Sequence, residues 1–164
     1  FGLQFFDPED WVVKIDADQV YIKDRLQEFL KLLKVVNSKK VFFCLKGYNT
    51  FPIKNHLYKH KYTPLNGEDK DSYVIKKSEI KDFGQWQYWE VLYHKNNQQV
   101  IMYPLPVWFH FKKSFNRGYE KIDEEDLLKY HALELSEEEK NLFNKTIRPY
   151  LKNSPYYHLK LKKE

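Results

Sequence analysis

The spacing of apolar positions changes several times along the chain, and each change marks an element. Trp11 to Ile15 is a short apolar run, set between the polar turn Asp7-Pro8-Glu9-Asp10 and Asp16. Such a run reads as a buried strand. From Tyr21 to Val36 the period becomes helical. Ile22, Leu26, Phe29, Leu30 and Leu33 fall on one face, with Lys and Glu on the other. Asn37-Ser38 stops this helix, and Val41 to Lys46 is a second apolar strand. Ahead of all this, Phe1 to Phe6 reads as the end of a helix or a loop.

The middle of the chain is less regular. Gly47 to Asn66 carries Pro52 and Pro64 and reads as short strands or hairpin pieces around Phe51 to Tyr58. Gly67 to Asp71 is a polar loop, and Ser72 to Lys76 a short strand. Phe83 to Tyr93 (FGQWQYWEVLY) is strongly aromatic, and its second half is expected to be helical. Val100 to Tyr103 and Val107 to Phe111 read as strands separated around Pro104 and Pro106. The last third is helical. Asp123 to Tyr130 opens on acidic residues, and Ser136 with Glu139 forms a capping box that starts a helix running to about Tyr150. Strand, turn, helix and strand in that order predict an α/β domain with a mainly parallel first section and antiparallel additions.

Composition narrows the picture. At 164 residues the chain can bury a core, and aromatics at 18% suit it to packing or to flat ligands. The net charge of +5 is carried almost wholly by lysine, with arginine only at positions 25, 117 and 148. That balance argues against a nucleic-acid groove, where arginine is the better bidentate reader, and leaves a mild attraction for anionic lipid or phosphorylated substrates. The lone Cys44 sits in the apolar run VFFCL and reads as a buried small hydrophobe in a reducing, cytoplasmic setting. The sequence contains neither a run of the ~20 apolar residues needed to span a bilayer nor a signal peptide. It begins at Phe1, directly in FGLQFFDPEDW, which suggests a fragment of a longer protein.

The chemistry concentrates at Asp16 and Asp18. Residues two apart in an extended segment point the same way, so these carboxylates can aim at one point. They follow a buried strand and precede a helix, and ligands of open α/β sheets bind beyond the carboxyl ends of strands. Two carboxylates there suit a hard divalent cation, Mn²⁺ or Mg²⁺, that keeps positions for diphosphate oxygens. The competing reading makes Asp18 a helix cap and Asp16 a strand end. An EF-hand is excluded, because Tyr21 stands where that loop requires Gly and Gln27 where it requires Glu.

The run DWVVKIDADQVYIKDRL resembles the bacterial β-1,4-N-acetylgalactosaminyltransferases that build outer-core lipooligosaccharide, with their W-x-x-K-I-D-x-D strand, x-x-Y and helix. Asp71 to Ile75, Trp89 to Leu92 and Phe109 to Lys113 resemble further segments of that family in the same order, with one residue of altered spacing in the second. The likeness covers roughly residues 10 to 115. It implies a partial GT-A, Rossmann-like fold: residues 1–118 as the DxD-containing C-terminal part of the catalytic domain, and 119–164 as its helical extension. It also implies that the uridine-binding strands precede this chain. The implied activity is metal-dependent, inverting transfer of a hexose or N-acetylhexosamine from a UDP-sugar to a cell-surface glycan, at the inner face of the cytoplasmic membrane.

By the same resemblance His110 joins Asp16 and Asp18 as a metal ligand, against the alternative of a packed core histidine. Lys112 and Lys113, with Asp16, are expected at the donor diphosphate. An inverting transferase needs a carboxylate base. Asp71 is the first choice and Glu90 the second, because Glu90 lies in the most aromatic stretch, where desolvation would raise its pKa. Trp86, Trp89 and Asp69 are the expected acceptor contacts, and Tyr88 and Trp108 are further aromatic platforms, each against the alternative of core packing. The other histidines lie among polar residues and read as surface. Two other readings stand beside the enzyme: a binding module for nucleic acid or anionic partners, and a glycosyltransferase fragment without activity.

Overall fold

The computed structural model describes residues 2–16, 19–54, 56–61, 73–86, 89–96, 98–111 and 123–152; at residue 2 and within 85–91 only the backbone is described. The chain is a mixed α/β protein and divides into two compact units. The first comprises Phe1–Ala17, Asp24–Lys46 and Pro64–Pro106; the second comprises Asp18–Lys23, Gly47–Thr63 and Val107–Glu164.

In the first unit, a 3₁₀ turn at Gly2–Phe5 leads to the expected polar turn, closed by Asp10 N–H donating to Asp7 C=O at 3.0 Å. Strand β1 (Trp11–Val13) pairs antiparallel with β5 (Tyr73–Lys76), and β5 pairs antiparallel with the start of β3 (Val41–Ile53). β1 and β3 therefore run in the same direction, as the strand-helix-strand order predicts. They are not neighbours, however: β5, from later in the chain, lies between them. Helix α1 (Lys23–Val35) buries Phe29 and Leu33. Phe29 meets Phe43 edge-on at 5.4 Å and Tyr103 at 4.9 Å. Leu26 is half-buried and Leu30 exposed, so the apolar stripe is narrower than its sequence implies.

The aromatic stretch corrects the expectation of a helix. β6 (Ile80–Trp86) and β7 (Trp89–His94) form an antiparallel hairpin in which Trp86 stands opposite Trp89. Trp, Tyr, Phe and Val favour the pleated surface, and that preference decides for strands here. Phe83, Leu92 and Ile80 pack on a core of Phe42, Cys44, Tyr73 and Ile75. The prolines at 104 and 106 also fail to divide their segment: β8 is one strand, Gln99–Phe111. Pro104 is exposed, in the setting where a missing N–H is tolerated in a strand.

The second unit is built on a sheet in the order β2 (Gln19–Tyr21), β8, β3, β4 (His56–His60), β9 (Ala132–Leu133). β2–β8, β3–β4 and β4–β9 are antiparallel. Gly47, Tyr48 and Asn49 lie against Trp108, Phe109 and His110 in turn, so β3 and β8 run parallel and the sheet is mixed. The β3–β4 hairpin turns at Lys54, which takes a positive φ of 52°. One face of the sheet packs Ile22, Leu57, Phe109 and Phe111 against Leu135, Phe143, Ile147 and Leu151.

Those last residues come from the C-terminal helical path. α2 (Glu124–Asp126) is capped by Asp123 and widens into the turn Leu127–His131. α3 (Glu137–Leu142) begins at the expected capping box and continues through Phe143–Ile147 to a 3₁₀ turn at Arg148–Leu151. Glu139 does two jobs. Its carboxylate accepts from the Ser136 N–H at 2.8 Å and binds Lys59 of β4 through both oxygens at 2.7 Å. No helix among the described residues is long and apolar enough to cross a membrane.

Substitution at Gly47 and at Ser136 should separate packing from capping. A Cβ at Gly47 would lie 2.0 Å and 2.1 Å from ring carbons of Trp108 and 2.5 Å from its carbonyl oxygen. Gly47→Ala is expected to destabilise the protein by about 1–3 kcal/mol, and Ser136→Ala by about 1 kcal/mol. Urea unfolding measures both; a Gly47→Ala midpoint equal to wild type would contradict the packing described.

Candidate functional site

Asp16 lies in the segment that leaves β1, in the first unit. The Lys14 N–H donates to the Tyr73 carbonyl at 3.2 Å, which keeps this segment against β5 after the β1 ladder ends. The Asp16 side chain is 27% exposed, and its Oδ1 pairs with Lys14 Nζ at 3.1 Å. It is therefore reachable from solvent and already balanced by one cation. Asp18, its companion in the motif, lies outside the described residues, as do Asp69, Asp71, Lys112 and Lys113, and Tyr88 and Arg117.

His110 lies on β8 in the second unit and is half-buried. The strand that begins one residue after Asp18 runs directly beside it: Gln19 is the cross-strand partner of His110, and Tyr21 that of Trp108. Directly opposed residues share a face of the sheet. Gln19, Tyr21, Trp108 and His110 therefore stand together, and Val20 and Phe109 point to the apolar core on the other side. Asn49 of β3 joins the same group, with its Oδ1 3.1 Å from His110 Nδ1. Tyr21 donates its hydroxyl proton to Gln19 Oε1 at 3.2 Å. Thr50 Oγ1 donates to the His110 carbonyl at 3.0 Å, so two successive residues of β3 hold His110 by ring and backbone.

The sheet in this unit thus has one apolar face packed by the C-terminal helical path, and a second face where the buried amides of Gln19 and Asn49 lie on the same side as the apolar cluster Phe51, Ile53 and Tyr58. Gln19 and Asn49 are 8% and 4% exposed. Buried amides are found where hydrogen bonds satisfy them, and these two do not announce themselves in the sequence. Asn49 sits in Gly47-Tyr48-Asn49-Thr50, ahead of the strand pieces read around Phe51 to Tyr58, and β3 runs through it unbroken. Trp108 is 1% exposed and presses on the backbone at Gly47, so no ring face is available for a sugar. Its Nε1 is buried and has no hydrogen-bond partner among the described residues.

Trp86, Trp89 and Glu90 belong to the β6–β7 hairpin of the first unit, with Glu90 opposite Gln85. They are strand residues at the closed end of the hairpin, not members of a helical face. His60 and His131, which read as surface from sequence, are half-buried, with rings 6.2 Å apart. Among the described residues, no group of three or more His, Cys, Asp or Glu side chains could hold a metal ion. Comparison of the chain with protein-family models, curated proteins and solved structures finds no match.

Cys44 is no candidate nucleophile. It is 4% exposed, and burial pushes its thiol pKa up from the ordinary value. A raised native pKa contributes stability that is intact below the ordinary thiol range and is lost as pH climbs through the native value. In Ellman's-reagent assays at neutral pH, the native chain should react more slowly than the urea-unfolded chain, because the thiolate is the attacking form and burial disfavours it. Equal rates would show the thiol to be accessible.

Proposed function

We propose that this chain is part of a metal-dependent glycosyltransferase. It moves a hexose or N-acetylhexosamine from a UDP-sugar to a cell-surface glycan such as lipooligosaccharide, at the cytoplasmic face of the membrane. The observation that best supports this reading is the β2–β8 register. Asp18 is bonded to Gln19, and Gln19 is the direct cross-strand partner of His110. The two residue types expected as ligands are thus tied together by one peptide link and one ladder pairing. Asp16 is the third residue expected as a ligand; its carboxylate is 27% exposed and pairs with Lys14.

The donor chemistry fits a hard divalent ion. Carboxylate oxygens with one imidazole suit Mn²⁺, and Mg²⁺ less well. When bound, such an ion neutralises charge that develops on the departing diphosphate. The chain's own residues supply the rest. Lys112 and Lys113 bind the diphosphate oxygens. Asp71, with Glu90 as the second choice, takes the proton from the acceptor hydroxyl as its oxygen bonds to the anomeric carbon and the bond to UDP breaks. Trp86, Trp89 and Asp69 hold the acceptor sugar. Lysine clusters draw the protein to anionic lipid.

A ligand that binds only the native state raises its melting temperature. UDP with Mn²⁺, at a hundredfold excess over Kd, should raise the midpoint of the parent protein that includes the uridine-binding strands by about 5–10 °C, and Asp18→Ala should abolish the shift. A wild-type protein that melts at the same temperature with and without UDP and Mn²⁺ would overturn the proposal.

A further inference from the structure

We propose that a cavity of about 260 Å³ in the first unit binds a small aliphatic carboxylate. Leu3, Lys77, Ile80, Lys81, Asp82 and Phe83 line it. Successive side chains of a regular strand point to opposite faces, so four consecutive residues, 80 to 83, would not line one cavity. Here a bulge intervenes. Ile80 is paired with His94 and Asp82 with Tyr93, so Lys81 is an extra residue on β6. A bulge re-aims side chains, and bulges are frequent beside active sites. The segment that carries Leu3 is tied to the same place by its backbone. The Ser78 N–H donates to the Pro8 carbonyl and the Lys77 N–H to the Asp10 carbonyl, each at 2.9 Å, and Lys77 Nζ donates to the Phe6 carbonyl.

The lining divides by chemistry. Ile80 and Phe83 rest on the core of Phe42, Cys44, Tyr73 and Ile75, and with Leu3 they give a wall of hydrocarbon. Lys77 and Lys81 supply two cations. Lys81 is exposed and makes no hydrogen bond or ion pair among the described residues. Asp82 is the acid of the lining, and its Oδ1 already accepts from the Phe83 N–H at 2.7 Å. Glu79, at the end of the 3₁₀ turn Lys77–Glu79, is engaged by Gln98 at 2.6 Å and by Lys95 at 3.9 Å. The lining is left with one net positive charge beside a carbon wall. A carboxylate on a short hydrocarbon chain matches both. A phosphate monoester, with a charge of about −1.5 to −2, would bring its excess charge against Asp82. Pockets for drug-sized ligands hold roughly 300–1,000 Å³, so a cavity of about 260 Å³ limits the occupant to a short chain. The proposal depends on neither the transferase reading nor a metal.

The test is titration of the ¹⁵N-labelled 164-residue chain with hexanoate, acetate and 1-hexanol, followed by amide chemical shifts. Hexanoate should move the amides of Leu3, Lys81 and Phe83 in a saturable way. Acetate lacks the chain and 1-hexanol lacks the charge, so each should bind several-fold more weakly. Lys81→Gln, a change at an exposed side chain, should weaken hexanoate roughly two- to fivefold, the range of one exposed ion pair, and leave 1-hexanol unchanged. Hexanoate that moves none of the three amides, or moves only others, overturns the proposal. So does 1-hexanol that binds as tightly as hexanoate, because the cavity would then read hydrocarbon alone, and so does wild-type hexanoate affinity in Lys81→Gln. The three-ligand comparison on the wild-type chain decides by itself if the variant fails to fold.

Discussion

Gly47 allows the indole of Trp108 to lie directly on the β3 backbone, and the rest of the second unit is arranged around that approach. With any side chain at position 47, the ring carbons of Trp108 would overlap it. Because the contact is so close, β3 and β8 can be held in one register only, and each following pair inherits it. Tyr48 meets Phe109 on the apolar face with ring centres 4.7 Å apart, and Asn49 meets His110 on the other. A slip of one residue would exchange the faces, placing the Asn49 amide in the aromatic core and Tyr48 among the polar groups.

Much of this was legible in the chain. The strand at Trp11, helix α1, the strand at Val41 and the capping box at Ser136 were all readable, because each depends on neighbours close in sequence. The misreadings fall where distant partners decide. Gln87 and Tyr88, the residues that separate β6 from β7 in sequence, are not turn formers, so nothing local announced a hairpin in the aromatic stretch. Pro104 and Pro106 suggested a break in β8, but a proline disturbs a strand only where its missing N–H is needed. The place of β5 between β1 and β3 could not be read at all, because strand order is set by long-range pairing rather than by local pattern.

The candidate site divides along the same line. Asp16 was visible from its spacing and its strand, and His110 only through the family resemblance. Gln19, Tyr21 and Asn49 were not, because their importance comes from which face of the sheet they share, and that depends on the register of three strands distant in sequence. Polar residues in an alternating strand usually mark the solvent side. Here two of them mark a buried side, and only pairing could reveal it.

The double use of Glu139 has a consequence for how the molecule assembles. Its carboxylate closes the first turn of α3 by a bond within three residues and also reaches Lys59, eighty positions earlier in the chain. The first bond can form as soon as the helix nucleates. The second cannot form until β4 has found its place, since its loop-closure entropy must be met first. A single side chain thus reports two stages of folding separated in order. The local cap holds the carboxylate in the orientation the lysine needs, so an early structure limits the search that a late one must make.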